Sequence, residues 1–282
     1  MTEIRIGVVG SGTMGAGIAQ VFAFAGYRVV LVDLAKEYLD RAIAGIAKSL
    51  EKQLRKDSIS DSQRDATLAA IQATTDYSDL ASCHLVIEVV SENRDIKKQV
   101  LRKIEFAVTD ECIIASNTST ISITELASEI SVPRRFVGMH FMNPVPAMQL
   151  VEIIAALQTV EEVTAEVVAL AKKIGKTPIM VSDSPGFVLN RLLIPMINEA
   201  IYALDEAVAD AESIDSCMRL GANHPIGPLA LADLIGLDIC LHIMEVLHAD
   251  FGDSKYRPCP LLRRMVAAGY LGRKSGRGFF AY

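Results

Sequence analysis

The glycine-rich stretch GSGTMG, residues 10–15, constrains the fold of this 282-residue chain more than any other part of the sequence. It follows the apolar run IRIGVV and precedes a segment with a helical pattern. In such a unit one glycine makes a tight turn, the next lets the backbone approach a pyrophosphate, and the third lets helix and strand pack closely. The N-terminus of the helix then faces the anion. The sequence therefore predicts a strand–turn–helix unit that binds a dinucleotide.

Asp33 supports this interpretation, because it ends the second predicted strand about 20 residues after the glycines, where a carboxylate can accept hydrogen bonds from an adenosine ribose. A carboxylate at this position would repel a 2′-phosphate, and Leu34 and Ala35 offer no arginine in its place. We therefore expect NAD as the cofactor rather than NADP. The alternative is a structural glycine turn with a solvated Asp33.

Composition excludes several classes of function. The formal net charge of −6 and the absence of a basic stripe with interleaved aromatic residues argue against a nucleic-acid partner. The five cysteines have no CxxC spacing, which favours free thiols in a reducing cytoplasm, and the five histidines do not cluster at metal-ligand spacing. Residues 6–27 are uncharged, but glycines and polar residues interrupt them, so we expect no membrane span and no signal peptide.

The first part of the chain alternates β-branched runs with helical patterns, which is typical of βαβ units and a parallel sheet. The predicted strands are Ile4–Val9, Arg28–Asp33, Leu85–Val90, Cys112–Ser116, Phe136–Phe141, Leu150–Ile154 and Pro178–Ser182. The predicted helices are Gly15–Ala25, Glu37–Lys56, Asp61–Gln72, Ile96–Ala107, Ile121–Glu129, Glu162–Ile174, Phe187–Asp210, Ala211–Arg219, Leu231–Asp250 and Pro260–Ala268. Since strand patterns vanish after the turn DSPG, we predict an α/β, Rossmann-like doubly wound, mostly parallel sheet in residues 1–184 and an all-helical C-terminal domain in residues 185–282.

His140 and Glu152 are candidates for chemistry. His140 stands at the C-terminal end of a predicted parallel strand, the edge at which open α/β sheets bind ligands. Glu152 lies within the apolar run QLVEII, where a carboxylate is rarely buried unless it is paired. A carboxylate that fixes one ring nitrogen of a histidine sets its tautomer and suits the ring to act as a general base. The alternative for His140 alone is a satisfied core histidine.

Four motifs together resemble the 3-hydroxyacyl-CoA dehydrogenases, in particular the short stand-alone bacterial 3-hydroxybutyryl-CoA dehydrogenases. They are HFMNPVPAMQLVEI, SNTSTISI, SDSPGFVLNRLLIPMINEAI and the C-terminal LGRKSGRGFFAY, and the resemblance covers the whole chain. It implies reversible NAD-dependent oxidation of an (S)-3-hydroxyacyl-CoA by a cytoplasmic enzyme of fatty acid or butanoate metabolism. It also implies a homodimer that forms through the C-terminal helical domain.

The resemblance also implies roles for individual residues. His140 is the general base and Glu152 its partner, while Ser119 and Asn190 hydrogen-bond the C3 oxygen of the substrate and Asn143 helps to order the site. The implied cofactor-binding residues are Gly10, Gly12, Thr13, Met14, Gly15, Asp33, Glu92, Lys97, Asn117, Ser119, Asn143 and Lys274. For Ser119 and Asn190, turn capping and helix-face polarity are the alternatives that the residues alone leave open.

Lys48 and Lys52 are four residues apart on one predicted helix and are continued by Arg55. In the family that the chain resembles, the equivalent helix approaches the phosphates of CoA, and lysines are suitable point charges for phosphate. A solvated helix face with Glu51 interleaved is the other interpretation. Two different functions also remain possible: oxidation of a free sugar acid such as gulonate, and non-catalytic dinucleotide binding on the same fold.

Overall fold

The computed structural model describes residues 4–282. They divide into two compact units, one that ends at Asp183 and one that comprises Ser184–Tyr282. The boundary that we predicted after Ser184 lies one residue from this division. Within the described residues, no helix is long and apolar enough to cross a membrane.

The N-terminal unit is built on one eight-stranded sheet with the order β3-β2-β1-β4-β5-β6-β7-β8. Its strands are β1 (Arg5–Val9), β2 (Arg28–Val32), β3 (Ile71–Thr74), β4 (Leu85–Glu88), β5 (Ile113–Ser116), β6 (Phe136–Phe141), β7 (Leu150–Ala155) and β8 (Thr177–Val181). All neighbouring strands are parallel except β6 and β7, which are antiparallel. The sheet is therefore mostly parallel, and the predicted α/β fold class is confirmed.

Six α-helices accompany the sheet within the described part of this unit. They are α1 (Thr13–Phe24), α2 (Lys36–Leu54), α3 (Asp61–Ala69), α4 (Arg94–Ala107), α5 (Ile123–Ala127) and α6 (Glu161–Lys173). The central strands are buried along their whole length, because helices cover both faces of a parallel sheet. Side-chain caps begin several of the helices: Asn93 accepts a hydrogen bond from the backbone N–H of Ile96 at 3.0 Å, and Ser60 forms a capping box with Gln63.

The C-terminal unit is helical, as predicted. Its helices are α7 (Leu189–Asp205), α8 (Ala211–Gly221), α9 (Pro228–Ile235), α10 (Leu237–Phe251) and α11 (Pro260–Ala267). Its core includes Ile197, Ile201, Leu229, Met244 and Leu262, which are all fully buried.

Two predicted elements are wrong. The helix predicted to begin at Asp61 and to end at Gln72 ends instead at Ala69, and Ile71–Thr74 forms strand β3, which pairs with β2 and completes the edge of the sheet. The predicted helix Leu231–Asp250 is two helices, since Gly236 adopts a positive φ of 108° that a helix does not allow. Pairing with β2 therefore accounts for strand β3, and the backbone conformation of Gly236 accounts for the division of the predicted helix.

Candidate active site

The glycine-rich turn has the shape that a bound pyrophosphate requires. Gly10 has a φ of 104°, and a Cβ built on Gly15 would lie 1.8 Å from the carbonyl oxygen of Gly10. A Cβ on Gly12, by contrast, would meet no atom within 4 Å, so the backbone is open at this point. Helix α1 begins at Thr13 without a side-chain cap, which leaves its first N–H groups available to an anion. These features fit a dinucleotide phosphate.

Asp33 is tied to the same turn. Its Oδ2 atom accepts hydrogen bonds from the backbone N–H and from the hydroxyl of Ser11, both at 2.6 Å, and its Oδ1 accepts one from the N–H of Leu34 at 2.6 Å. The carboxylate is half-buried at the carboxyl end of β2. Ser11 therefore fixes the orientation of Asp33 beside the pyrophosphate position.

A cleft of about 980 Å³ lies along the carboxyl edge of the sheet in the N-terminal unit. Its walls include the glycine-rich turn, Asp33 and the segment Asn143–Pro146. Residues that the sequence did not single out also line it: Tyr38, Arg41, Tyr77, Ile96, Gln99, Val100 and Lys103. Lys103 lies 5.9 Å from the ring centroid of Tyr77. A cleft of this size, at this edge of an open α/β sheet, suits a dinucleotide.

His140 and Glu152 are direct partners in the ladder between β6 and β7. Residues that lie opposite each other in an antiparallel pair point to the same face of the sheet. The His140 Nδ1 atom accordingly lies 2.8 Å from Glu152 Oε2, and the two residues are 5% and 1% exposed. The prediction that they form a pair therefore has a simple geometric basis in the register of two strands.

Ser119 lies on the other side of the imidazole, with its hydroxyl oxygen 3.1 Å from His140 Nε2. Since an ionised Glu152 can only accept, Nδ1 carries the proton of the neutral ring and Nε2 keeps its lone pair. Nε2 can therefore accept a proton from a hydroxyl group that lies near Ser119. This arrangement is the one that a general base requires.

Two asparagines shape the backbone around the histidine. Asn117 is buried, and its Oδ1 atom accepts a hydrogen bond from the N–H of Phe141 at 2.8 Å, so it fixes the end of β6. Asn143 precedes a cis peptide bond to Pro144 and lines the cleft. Asn117 thus contacts protein backbone beside His140, while Asn143 is placed where a cofactor or a substrate can reach it.

Glu92 binds the loop that carries Ser119. Its Oε1 atom accepts hydrogen bonds from the N–H groups of Ser119 and Thr120, at 2.8 and 2.9 Å, and from the hydroxyls of Thr118 and Thr120, at 2.6 and 2.9 Å. Burial alone would raise the pKa of Glu92, but the charge of Lys97 and these hydrogen bonds outweigh it and lower the pKa. Glu92 is thus a carboxylate that orders the turn after β5.

Lys97 forms a buried ion pair with Glu88, a residue that the sequence did not single out. Its ammonium donates to both carboxylate oxygens of Glu88, at 2.9 and 3.1 Å, and to the carbonyl of Val90 at 3.2 Å. Glu88 also accepts from the hydroxyl of Ser116 at 2.6 Å. The ion pair joins α4 to the carboxyl end of β4, and the Ser116 hydroxyl connects Glu88 to the carboxyl end of β5. Lys97 also lies 3.4 Å from Glu92. Contact between Lys97 or Glu92 and a cofactor stays a prediction.

The other predicted site residues lie apart from this cluster or in the second unit. Lys48 and Lys52 are exposed on α2. Asn190 lies in the first turn of α7, and Lys274 donates to Asp238 Oδ2 at 2.7 Å within the C-terminal unit. Their roles at the active site stay predictions.

Two of the residues that sequence reasoning missed do carry a usable signal. Ser11 lies between two glycines of the turn, so its contact with Asp33 could have been anticipated. Glu88 ends an otherwise apolar strand, and such a carboxylate needs a buried partner. Tyr77 and Lys103, in contrast, enter the cleft from a 3₁₀ helix and from α4, and no local pattern distinguishes them.

Comparison with known proteins agrees with this geometry. Residues 5–184 match the model of the 3-hydroxyacyl-CoA dehydrogenase NAD-binding domain, and residues 186–282 match that of the C-terminal domain of the same enzymes. The predicted family, cofactor and enzyme class, an NAD-dependent oxidoreductase, are thereby confirmed.

Three relatives illustrate the similarity. The "probable 3-hydroxybutyryl-CoA dehydrogenase" of Deinococcus radiodurans is 53% identical over 99% of this chain and 100% of its own length. The 3-hydroxybutyryl-CoA dehydrogenase of Bradyrhizobium diazoefficiens is 48% identical over 99% and 95%. The crystal structure of (S)-3-hydroxybutyryl-CoA dehydrogenase from Ralstonia eutropha has a TM-score of 0.96 and 52% identity, and the match covers 100% of this chain and 99% of that one. The chain belongs to the 3-hydroxyacyl-CoA dehydrogenase family.

Proposed function

We propose that this protein interconverts (S)-3-hydroxybutyryl-CoA and acetoacetyl-CoA with NAD as the hydride acceptor and donor. The observation that carries the proposal is the position of His140 between Glu152 and Ser119, at 2.8 and 3.1 Å. The names of the relatives support the choice of substrate, since two at 47–48% identity are named "3-hydroxybutyryl-CoA dehydrogenase" and two at 49–53% are named "probable 3-hydroxybutyryl-CoA dehydrogenase".

In the direction of oxidation, Nε2 of His140 takes the proton of the C3 hydroxyl. Glu152 stabilises the imidazolium that results and holds the ring in place through Nδ1. Ser119 hydrogen-bonds the C3 oxygen, and Asn190 is proposed as a second donor to it. Bound NAD would supply the hydride acceptor for C3. In reduction His140 returns the proton, so the same group acts as base and as acid.

The remaining predicted residues bind and orient the two reactants. Asp33 accepts hydrogen bonds from the ribose hydroxyls, and the open backbone at Gly12 admits the pyrophosphate. Asn117 and Glu92 order the backbone on either side of the nicotinamide position, and Asn143 borders it. Lys97 and Lys274 are also proposed to contact the cofactor. Orientation of this kind supplies much of the acceleration, because hydride chemistry belongs to the cofactor.

Lys48 and Lys52 are proposed to bind the phosphates of CoA. They extend from consecutive turns of one face of α2, and both are exposed. Two ammonium groups on one helix face form a site for a polyanion that a free hydroxy acid does not need. This feature favours an acyl-CoA substrate over a sugar acid.

One assay separates the proposed function from its alternatives. We expect rapid NADH oxidation with acetoacetyl-CoA and slow oxidation with free acetoacetate. The rate is measured as the loss of NADH absorbance. Comparable rates with both would show that CoA contributes no binding energy and would favour a dehydrogenase of free acids. Oxidation of gulonate but not of 3-hydroxybutyryl-CoA would overturn the proposal. If the protein binds NADH but converts none of these compounds, the result would favour a non-catalytic dinucleotide-binding protein.

A homodimer through the C-terminal unit is also part of the proposal. Exposed apolar side chains recur on its helices, among them Leu192 on α7, Leu220 on α8 and Leu234 on α9, which are 68%, 87% and 53% exposed. Such side chains are costly to leave in water when they lie close together. Light scattering should give twice the mass of one chain, and Leu220→Glu should reduce it if Leu220 lies in the interface. A monomeric native protein would contradict the proposal.

A further inference from the structure

Lys176 is a buried lysine that the chemistry described so far does not use. It is 8% exposed and lies between α6 and β8. Its ammonium donates to the carbonyl oxygens of Val145 and Met148, at 2.5 and 2.7 Å. Burial lowers its pKa, and no neighbouring charge contributes to the shift. A buried ammonium is costly unless it is hydrogen-bonded, so the two carbonyls are what hold Lys176 in this position.

That segment is the loop between His140 on β6 and Glu152 on β7, which comprises residues 142–149. The loop turns tightly, since the N–H groups of Ala147 and Met148 both donate to the carbonyl of Pro144. The carbonyls of Val145 and Met148 accept hydrogen bonds from the Lys176 ammonium rather than from the backbone N–H of a neighbouring strand. One ammonium with three donors thus satisfies two carbonyls at once, in charge-assisted hydrogen bonds.

The loop also forms one wall of the cofactor cleft. Asn143, Pro144, Val145 and Pro146 line that cleft. Val145 is 2% exposed and packs against Gly17 of α1 so closely that a Cβ on Gly17 would lie 2.9 Å from that of Val145. The carbonyl that Lys176 binds therefore belongs to the residue that fits the loop against the dinucleotide-binding helix.

We propose that Lys176 is a positioning residue that holds the 142–149 loop as a preformed wall of the cofactor cleft. It acts through Val145 and Asn143 and touches neither reactant itself. Without the Lys176 ammonium, the loop samples other positions. Cofactor binding must then select the position that forms the cleft wall, and the affinity for the cofactor falls. This role rests on the proposed function, but it concerns cofactor binding and does not depend on the identity of the acyl substrate.

The test compares Lys176→Met, which keeps volume and removes the donors, with Lys176→Arg, which keeps charge and donors. Lys173→Met, an exposed lysine on α6, is the matched control. We expect Lys176→Met to raise the Kd for NADH, measured by fluorescence, about tenfold, which corresponds to about 1.4 kcal/mol. The KM for NADH should rise in parallel, while the KM for acetoacetyl-CoA stays unchanged. Lys176→Arg should recover part of the loss.

A purely structural lysine would behave differently. It would lower the melting temperature of Lys176→Met and leave the Kd of the folded protein unchanged, and that result would overturn the proposal. If the Met variant does not fold, hydrogen–deuterium exchange of the native protein replaces it: the amides of Ala147 and Met148 should exchange slowly before NADH is added, and rapid exchange that becomes slow only with NADH would overturn the proposal. Native protein that binds NADH but lacks dehydrogenase activity would refute the proposed function alone.

Discussion

His140 and Glu152 occupy paired positions on two antiparallel strands, and their side chains meet at 2.8 Å in a region that water hardly reaches. The ladder itself therefore holds the pair, with no need for a flexible loop. Since the carboxylate fixes Nδ1 as the protonated nitrogen, Nε2 faces Ser119 with its lone pair available. Strand register thus places Glu152 where it determines which ring nitrogen of His140 carries the proton.

Glu152→Gln should lower kcat by about 10² or more, because an amide N–H can donate to Nδ1 and so place the ring proton on Nε2, where it blocks proton acceptance. His140→Ala should lose at least as much. Both variants should still bind NADH, as measured by fluorescence titration. Glu162→Gln, an exposed glutamate on α6, is the control and should retain full activity. Near-native turnover of His140→Ala would place the catalytic base elsewhere.

Asp33→Ala should narrow the preference for NADH over NADPH. Loss of the carboxylate should remove the proposed hydrogen bonds to the ribose, worth about 1.5–3 kcal/mol for bonds to a charged group, and the repulsion of a 2′-phosphate. The KM for NADH should therefore rise while that for NADPH falls. Asp40→Ala, on an exposed site of α2, should change neither. A native preference for NADPH would show that Asp33 does not contact the ribose.

Lys48→Ala combined with Lys52→Ala should raise the KM for acetoacetyl-CoA and leave the KM for NADH unchanged. The increase should be largest at low ionic strength, since salt screens exposed charges over about 8–10 Å. Lys172→Ala combined with Lys173→Ala removes the same charge from α6 and serves as the control. An unchanged KM for acetoacetyl-CoA at low salt would assign Lys48 and Lys52 to a solvated helix face.

Glu92→Gln should make the stability of the protein less dependent on pH in acid. The pKa of Glu92 is lowered on folding, so the unfolded chain binds more protons between that value and 4.5. Its stabilising contribution is therefore present above pH 4.5 and is lost as the pH falls through the lowered pKa. Urea unfolding at a series of pH values should show a flatter acid limb for Glu92→Gln, and a lower free energy of unfolding at neutral pH by about 1–3 kcal/mol. Equal slopes in the two proteins would refute the prediction.

Sequence patterns were sufficient for the elements whose causes are local. The glycine spacing specified the turn before α1, because its backbone conformations and close contacts depend on residues a few positions apart. The β-branched runs specified most strands, and the loss of such runs after Asp183 specified a helical second unit. The apolar surroundings of Glu152 indicated a buried partner, since an unpaired carboxylate is too costly there.

The meeting of distant residues, in contrast, depends on the folded chain. The antiparallel direction of β7 and its register place Glu152 opposite His140, and a shift by one residue would turn the carboxylate to the other face of the sheet. Strand β3 exists because the edge of β2 offers it a partner. The contacts of Lys97 with Glu88 and of Lys176 with the 142–149 loop join segments that no local pattern connects. Pairing across the sheet and burial of charge arise only when these segments pack together, and for this reason the composition of single segments could not specify them.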